Sequence, residues 1–267
     1  MMSTVCDYPT DVSDPQWDVL QLLLPTPKWR PGGPGRTPLP PRRVINGIFY
    51  VNKTGCQWRM MPTDFGNGHT IYGYFRRWRQ AGVWGRVMDT LRQWERQGQG
   101  RLPEPSAACG DSQSIKTATQ GIEVGFDGNK KIKGRKRHIL VDTLGLIVAV
   151  VVTAANTDDR QGLVALLQRY FASGVKRLRK IWVDGGYHAQ WLCDWVRGLK
   201  QTHKIDLEVV EHTGKGFQVV KHRWKVERTL AWLLNDRRHS RDYERLTVSS
   251  EAMIQISMLR LLLKRLA

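Results

Sequence analysis

Residues 135–154, RKRHILVDTLGLIVAVVVTA, hold two apolar segments separated by Thr143-Leu144-Gly145. Segments 135–142 and 146–154 read as strands, and the short glycine-bearing break between them predicts a hairpin. Working outward, residues 107–111 form a shorter strand of small residues, so three strands come first. After the hairpin the period changes. Thr157 caps a helix with Asp158 and Asp159 in its first turn and Leu163, Leu166, Leu167 and Tyr170 inward, ended by Gly174. Residues 180–184 are a buried strand, 188–200 a helix, 207–210 a fifth strand, and 250–266 a last helix. The order β-β-β-α-β-α-β-α, with the helix of the next paragraph before the last, predicts a mixed α/β sheet. It is a three-stranded antiparallel meander extended by αβ units, the order of an RNase H-like fold.

Residues 219–238, VVKHRWKVERTLAWLLNDRR, predict the helix that completes this order. At about 100° per residue, Val220, Trp224, Ala231 and Leu234 share a stripe, with Leu230 and Arg223 at its edge. Glu227 falls in the middle of that stripe. A carboxylate turned inward needs a cation, either Arg223 one turn back or a metal ion.

Before residue 107 the pattern is helical. Ser13 and Gln16 make a capping box ahead of Trp17, Leu20, Leu23 and Leu24. Residues 25–41 carry seven prolines and read as a loop. Helices follow over 42–53, with Gly55 as its stop, over 70–80 and over 83–96. The helix over 70–80 turns Ile71, Tyr74, Phe75 and Trp78 inward and carries Arg76, Arg77 and Arg79 around its other side. It has the look of a DNA-reading helix, or of a helix with solvated arginines. Residues 97–106, QGQGRLPEPS, are a linker. The expected organisation is a helical DNA-binding domain over 1–96, that linker, and an RNase H-like catalytic domain with a C-terminal helix over 107–267.

The chain has 42 Lys and Arg against 24 Asp and Glu, a net charge of +18. A charge of this size points to a polyanion, most simply double-stranded DNA. The eleven tryptophans among these cations suit stacking surfaces as well as cores. Cys6, Cys56, Cys109 and Cys193 are isolated, without zinc spacing, and fit a reducing cytosol. The N-terminus lacks the basic and apolar regions of a signal peptide. The longest apolar run, 146–152, is far short of a membrane span. The expected location is therefore the cytoplasm.

Asp111 lies at the first strand beside Gly110, and Asp184 ends the strand IWVD before Gly185-Gly186. Ligand sites in such sheets gather at the carboxyl ends of parallel strands. In an RNase H-like sheet the strands carrying these two acids are neighbours, and the helix carrying Glu227 packs across them. Three carboxylates in one place repel and need a cation. Hard oxygen ligands favour Mg²⁺ or Mn²⁺, and two such ions about 4 Å apart support phosphoryl transfer. The acids alone leave open whether water or a DNA 3′-OH attacks. Asp142 sits at the hairpin turn and reads as structural.

Residues 130–137, KKIKGRKR, hold six cations: Lys130, Lys131, Lys133, Arg135, Lys136 and Arg137. They are either a solvated run or contacts to a phosphate backbone. Lys225, Arg228 and Trp232 lie opposite the acid's stripe. They are placed to touch DNA, or, for Trp232, to pack under the last helix.

Several stretches in order, TGCQWRMMPTDF, YGYFRRWR, GDSQSIK, KKIKGRKRHILVDTLGL, WVDGGY, RWKVERTLAWL, and DYERL followed by SSEAMIQISMLRLLLKRL, carry a resemblance over nearly the whole chain. The sequence resembles bacterial insertion-sequence transposases of the DDE superfamily, in the broad group of insertion sequences "four" and "five" and closest to the "five" branch. The resemblance implies an RNase H-like core with Asp111, Asp184 and Glu227 as a catalytic, metal-holding triad using Mg²⁺. It implies cutting at terminal inverted repeats, joining by 3′-OH attack, and work as a homodimer or larger synaptic complex. The wider group's Tyr-x-x-Arg-x-x-x-Glu-x-x-x-x-x-x-Lys pattern is met at Arg223 and Glu227. Val220 and Leu234 stand where the Tyr and Lys would be, which makes Arg237 or Arg238 candidates for the terminal-phosphate contact. A hydrolytic nuclease and a catalytically idle DNA-binding regulator are the other readings.

Overall fold

The strand β3, Ile132–Asp142, runs through the middle of a mixed sheet, and everything from Gly134 to Asp142 along it is buried. The protein is represented by a computed structural model that describes residues 8–26, 29, 37–118, 121–172, 174, 177–203, 205–210 and 223–267. β3 pairs antiparallel on one side with β1, Ala107–Lys116, and on the other with β4, Ile147–Ala154, and with a short β2, Gly125–Asp127. β1 then pairs in parallel with β5, Lys180–Asp184, and β5 in parallel with β6, Asp206–Val210. This is the predicted meander extended by parallel strands, and the core is RNase H-like. β2 is an addition that three residues of strand between glycines do not announce. β1 is twice its expected length, its far half running on along β3 until Lys116 O accepts from the Asp242 N–H.

α5, Asp159–Ala172, and α6, Gln190–His203, follow β4 and β5. With one face of the sheet α5 closes a core of Leu140, Val151, Leu163, Leu166, Leu167, Ile181 and Val183. The cap of α5 differs from expectation: the Asp158 side chain, not Thr157, accepts from the backbone N–H of Arg160 at 2.8 Å.

The other face is covered by α7, Arg223–Leu234, and α8, Thr247–Leu266, together with the N-terminal helices. These are α1, Asp14–Gln21; α2, Pro41–Thr54; α3, Gly68–Gln80; and α4, Val83–Gly98. The capping box of Ser13 and Gln16 forms, and Gly55 closes α2 in the left-handed region at φ 74°. Most of the aromatic residues near the N-terminus are packing residues: Trp78 meets Trp84 edge-on with ring centroids 5.4 Å apart, and Trp58 lies against Phe75. Among the described residues the helical segment shares its core with the sheet. Ile45, Ile48, Phe75, Trp84 and Leu91 belong to one apolar cluster with Val150 of β4, Val226 of α7 and Leu259 of α8. Polar ties run the same way. Asn52 donates to Ser257 Oγ at 2.7 Å, and Arg92 donates to Ile147 O at 3.2 Å.

α7 corrects the expected stripe. Its buried residues are Val226, Thr229, Leu230 and Leu233, while Trp224 and Leu234 are 43% and 47% exposed and Glu227 is exposed. Both stripes have helical spacing. The one that wins packs on β1, β3, β5 and α8. Val220, and the side chain of Arg223 with the pairing to Glu227 it was weighed for, lie outside the described residues.

Candidate active site

The pairing of β1 with β5 matches Ala107 to Lys180 and Cys109 to Trp182. Two residues further on, the same register brings Asp111 level with Asp184 on neighbouring parallel strands. Side chains two apart share a face, so both acids fall on the face that Cys109 and Trp182 turn to α7. Both are partly exposed. The backbone N–H of Ser112 donates to Asp111 Oδ1 at 2.7 Å, and that of Gly186 donates to Asp184 Oδ1 at 3.0 Å. Asp184 thereby caps the single 3-10 turn Gly185–Tyr187. Among the described residues a side chain at Gly185 would meet nothing within 4 Å, which leaves open space beside Asp184.

Tyr187 closes that turn. Its phenol is buried, and its pKa is raised well above the ordinary tyrosine value by that burial and then by the carboxylates of Asp111, Asp159 and Asp184. Asp159 is the member that sequence reading took for a helix-start residue. Its Oδ1 accepts from Ser112 Oγ at 2.6 Å and pairs with Lys136 Nζ at 3.0 Å. Burial pushes this carboxyl up, and the Ser112 and Lys136 hydrogen bonds more than offset it, leaving the pKa lowered. The only sequence signal for this role was a hydroxyl next to Asp111.

Glu227 lies on a flank of α7. The opposite flank meets the β3–β4 turn, where Thr229 Oγ1 donates to Gly145 O at 2.7 Å and Arg228 Nη2 donates to Leu144 O at 2.8 Å. Among the described residues, no three His, Cys, Asp or Glu side chains form a group that could hold a metal ion. The sheet thus brings Asp111 and Asp184 together, and Glu227 does not close a three-acid cluster with them. Hard, partly exposed carboxylate oxygens beside open space fit a Mg²⁺ or Mn²⁺ ion that takes its remaining ligands from water and phosphate.

The cations divide sharply. Lys130, Lys131 and Lys133 are exposed, but Arg135, Lys136 and Arg137 are buried in the central strand. Arg135 donates to the carbonyls of Ile122, Glu244 and Arg245 and pairs with Asp242 at 3.3 Å. Arg137 donates to His239 O at 3.1 Å, and Lys136 to Thr157 O at 2.9 Å. A strand covered on both faces turns its cations into the fold, and these three are structural rather than phosphate contacts. Arg238 is likewise buried, on Glu244 at 2.6 Å and Cys56 O at 2.9 Å, whereas Arg237 is exposed.

On α3, Arg76 and Arg77 are exposed, Arg77 stacking on Tyr74 at 4.5 Å, while Arg79 ties α3 to Ser249 of α8 at 2.6 Å. On α7, Lys225 is half-buried, and Arg228 stacks between Trp224 and Trp232 at 4.6 Å from each ring. Arg265 of α8 covers Trp232 at 4.9 Å, the packing alternative rather than an open stacking platform. Asp142 is structural as read: fully buried, it accepts from the N–H groups of Leu144 and Leu146 at 2.9 Å and pairs with Arg96.

An RNase H-like sheet with two acids level on its neighbouring first and fifth strands fits a nucleic-acid-processing enzyme core. The family model described as "Transposase DDE domain" matches residues 102–262, and the chain belongs to that family. A second model, "Putative transposase of IS4/5 family", matches residues 12–88. The chain is 36% identical over 117 residues to "Insertion element IS402 uncharacterized 16.2 kDa protein" of Burkholderia cepacia, covering 43% of this chain and 78% of that one. It is 34% identical over 122 residues to "Putative transposase for insertion sequence element IS402" of the same organism, covering 42% of this chain and 54% of that one. No solved structure matches significantly.

Proposed function

We propose that this transposase binds the terminal inverted repeats of an insertion sequence, cleaves at those ends and joins the 3′-OH to target DNA. Asp111 and Asp184 level on adjacent parallel strands are the observation that carries the reading. Both would hold the divalent ions, Mg²⁺ or Mn²⁺, with Glu227 as the third acid. When bound, a pair of such ions activates the attacking oxygen and stabilises the leaving one.

The chain's own groups prepare that place. Backbone N–H groups of Ser112 and Gly186 orient the two carboxylates, and Gly185 lets a phosphodiester approach the strand end. The exposed cations of Lys130, Lys131, Lys133, Arg76, Arg77 and Arg237 meet the DNA backbone. Residues 1–96 act in end recognition and 107–267 in chemistry, in a homodimer or larger synaptic complex in the bacterial cytoplasm. Among the described residues no helix is long and apolar enough to cross a membrane.

The test is a strand-transfer assay with pre-cleaved ends, Mg²⁺ and a target plasmid. Asp184→Asn is expected to keep its binding to end DNA and to lose joining. Joining at the wild-type rate by that variant removes Asp184 from the site. Cleavage without any joining by the wild type would instead make the chain a hydrolytic nuclease.

A further inference from the structure

Lys136 was read in sequence as one of six cations waiting for phosphate, yet it is 6% exposed. Its ammonium donates to Thr157 O at 2.9 Å, pairs with Asp159 Oδ1 at 3.0 Å, and lies 3.8 Å from Asp127 Oδ2. A lysine enclosed in this way is neutralised by the protein. What it does is hold Asp159 in one place at the start of α5.

Asp159 in turn receives the Ser112 hydroxyl at 2.6 Å. Ser112 is the next residue after Asp111, and its N–H is the donor on Asp111 Oδ1 at 2.7 Å. Successive residues of a strand point to opposite faces. Ser112 therefore reaches back to α5 while Asp111 looks out on the other side, and fixing one side chain fixes the peptide that orients the other. One hydroxyl thus ties the stretch of β1 bearing Asp111 to the start of α5.

We propose that Ser112, Asp159 and Lys136 are positioning residues that hold Asp111 in place for a divalent ion, from the face of the sheet opposite the substrate. The inference rests on the metal-holding role given above to Asp111 and Asp184. Outer partners of metal ligands are commonly worth about 10–100-fold in metal affinity. None of the three needs to touch DNA or metal.

The experiment measures Mn²⁺ binding to the full chain without DNA, from the free-ion signal in electron paramagnetic resonance. Melting temperature without metal and end-DNA affinity in chelator are measured alongside. Ser112→Ala and Asp159→Asn are each expected to weaken Mn²⁺ binding about tenfold, within the range above. Their double variant should be no worse than the weaker single one, because both break the same link. Ser112→Thr, which keeps the hydroxyl, should retain wild-type affinity. Metal-free melting and DNA affinity should stay near wild type for Ser112→Ala, which would not hold if the hydroxyl only stabilised the fold.

Wild-type Mn²⁺ affinity in Ser112→Ala overturns the inference, even if Asp159→Asn proves too unstable to measure. Asp111→Asn separates the two levels of the argument. If it too binds Mn²⁺ as well as wild type, the metal-site assignment falls and takes the positioning role with it. If it loses binding while Ser112→Ala does not, only the positioning role falls.

Discussion

Gly162→Ala in α5 is a substitution whose sign is set by one contact. In an exposed helix interior, alanine in place of glycine stabilises by about 1 kcal/mol. Here a methyl group at residue 162 would stand 2.1 Å from Cε1 and Nδ1 of His138 and 2.5 Å from its Cγ. The imidazole is fully buried, and its Nε2 is 3.0 Å from Thr153 Oγ1, so it has no easy way to swing aside. The helix must lift off β3 instead. Overpacking of this kind costs about 1–3 kcal/mol, and the contact is at the severe end. Setting that against the propensity gain, Gly162→Ala should lose about 2 kcal/mol in urea unfolding followed by linear extrapolation. Lifting α5 also draws Asp159 from Ser112 and Lys136, so Mn²⁺ binding should weaken in the same variant. The companion is His138→Ala, which opens the space. In its background Gly162→Ala should cost at least about 1 kcal/mol less than in wild type. A Gly162→Ala protein as stable as wild type, with no coupling to His138, would refute the close packing of α5 on β3.

Two further outcomes follow from buried charge. Burial lowers the His138 pKa to about 4, from an ordinary 6.5, against the opposing pull of Asp159. The unfolded chain therefore takes up a proton between those values and the folded one does not, so stability is full above pH 6.5 and falls as pH drops toward 4. The loss is up to about 1.4 kcal/mol per pH unit for this one group. Unfolding curves of wild type and His138→Gln between pH 7 and pH 4.5 should converge as the pH falls, and a constant gap would contradict the assignment. Separately, Arg96→Met leaves Asp142, fully buried at the β3–β4 turn, without its cation. It should lose about 3–5 kcal/mol in urea unfolding, with much of that recovered by adding Asp142→Asn. A loss under about 1 kcal/mol would show that the pair does not hold α4 to the sheet.

Much of the sheet could be read from the chain because its signals are local. Residues 180–184 read as a buried strand from the apolar run IWV ending at Asp184-Gly185-Gly186, and β5 has those bounds. The hairpin at Thr143-Leu144-Gly145 was marked by composition on both sides, and the helix ends at Ser13 and Gly55 by capping chemistry. What escaped depends on distant partners. On α7 two stripes of equal helical quality compete, and only the surface beneath decides that Val226 and Leu233 go in while Trp224 and Leu234 stay out. Arg135 and Arg137 look like surface cations until Asp242, the Glu244 and Arg245 carbonyls and the His239 carbonyl arrive from a hundred residues away. The placing of Asp111 beside Asp184 followed from fold order. The Ser112–Asp159–Lys136 chain did not, since its members sit on three separate elements.

The shared apolar cluster has a consequence for synthesis. α1 through α4 emerge from the ribosome early, yet they bury their inward faces against α8, and Asn52 meets Ser257 across 205 positions of chain. No vectorial, front-to-back maturation is open to such a molecule. Its opening third must wait, greasy side unprotected, until the closing helix has been translated, and during that interval it is a natural client for chaperones.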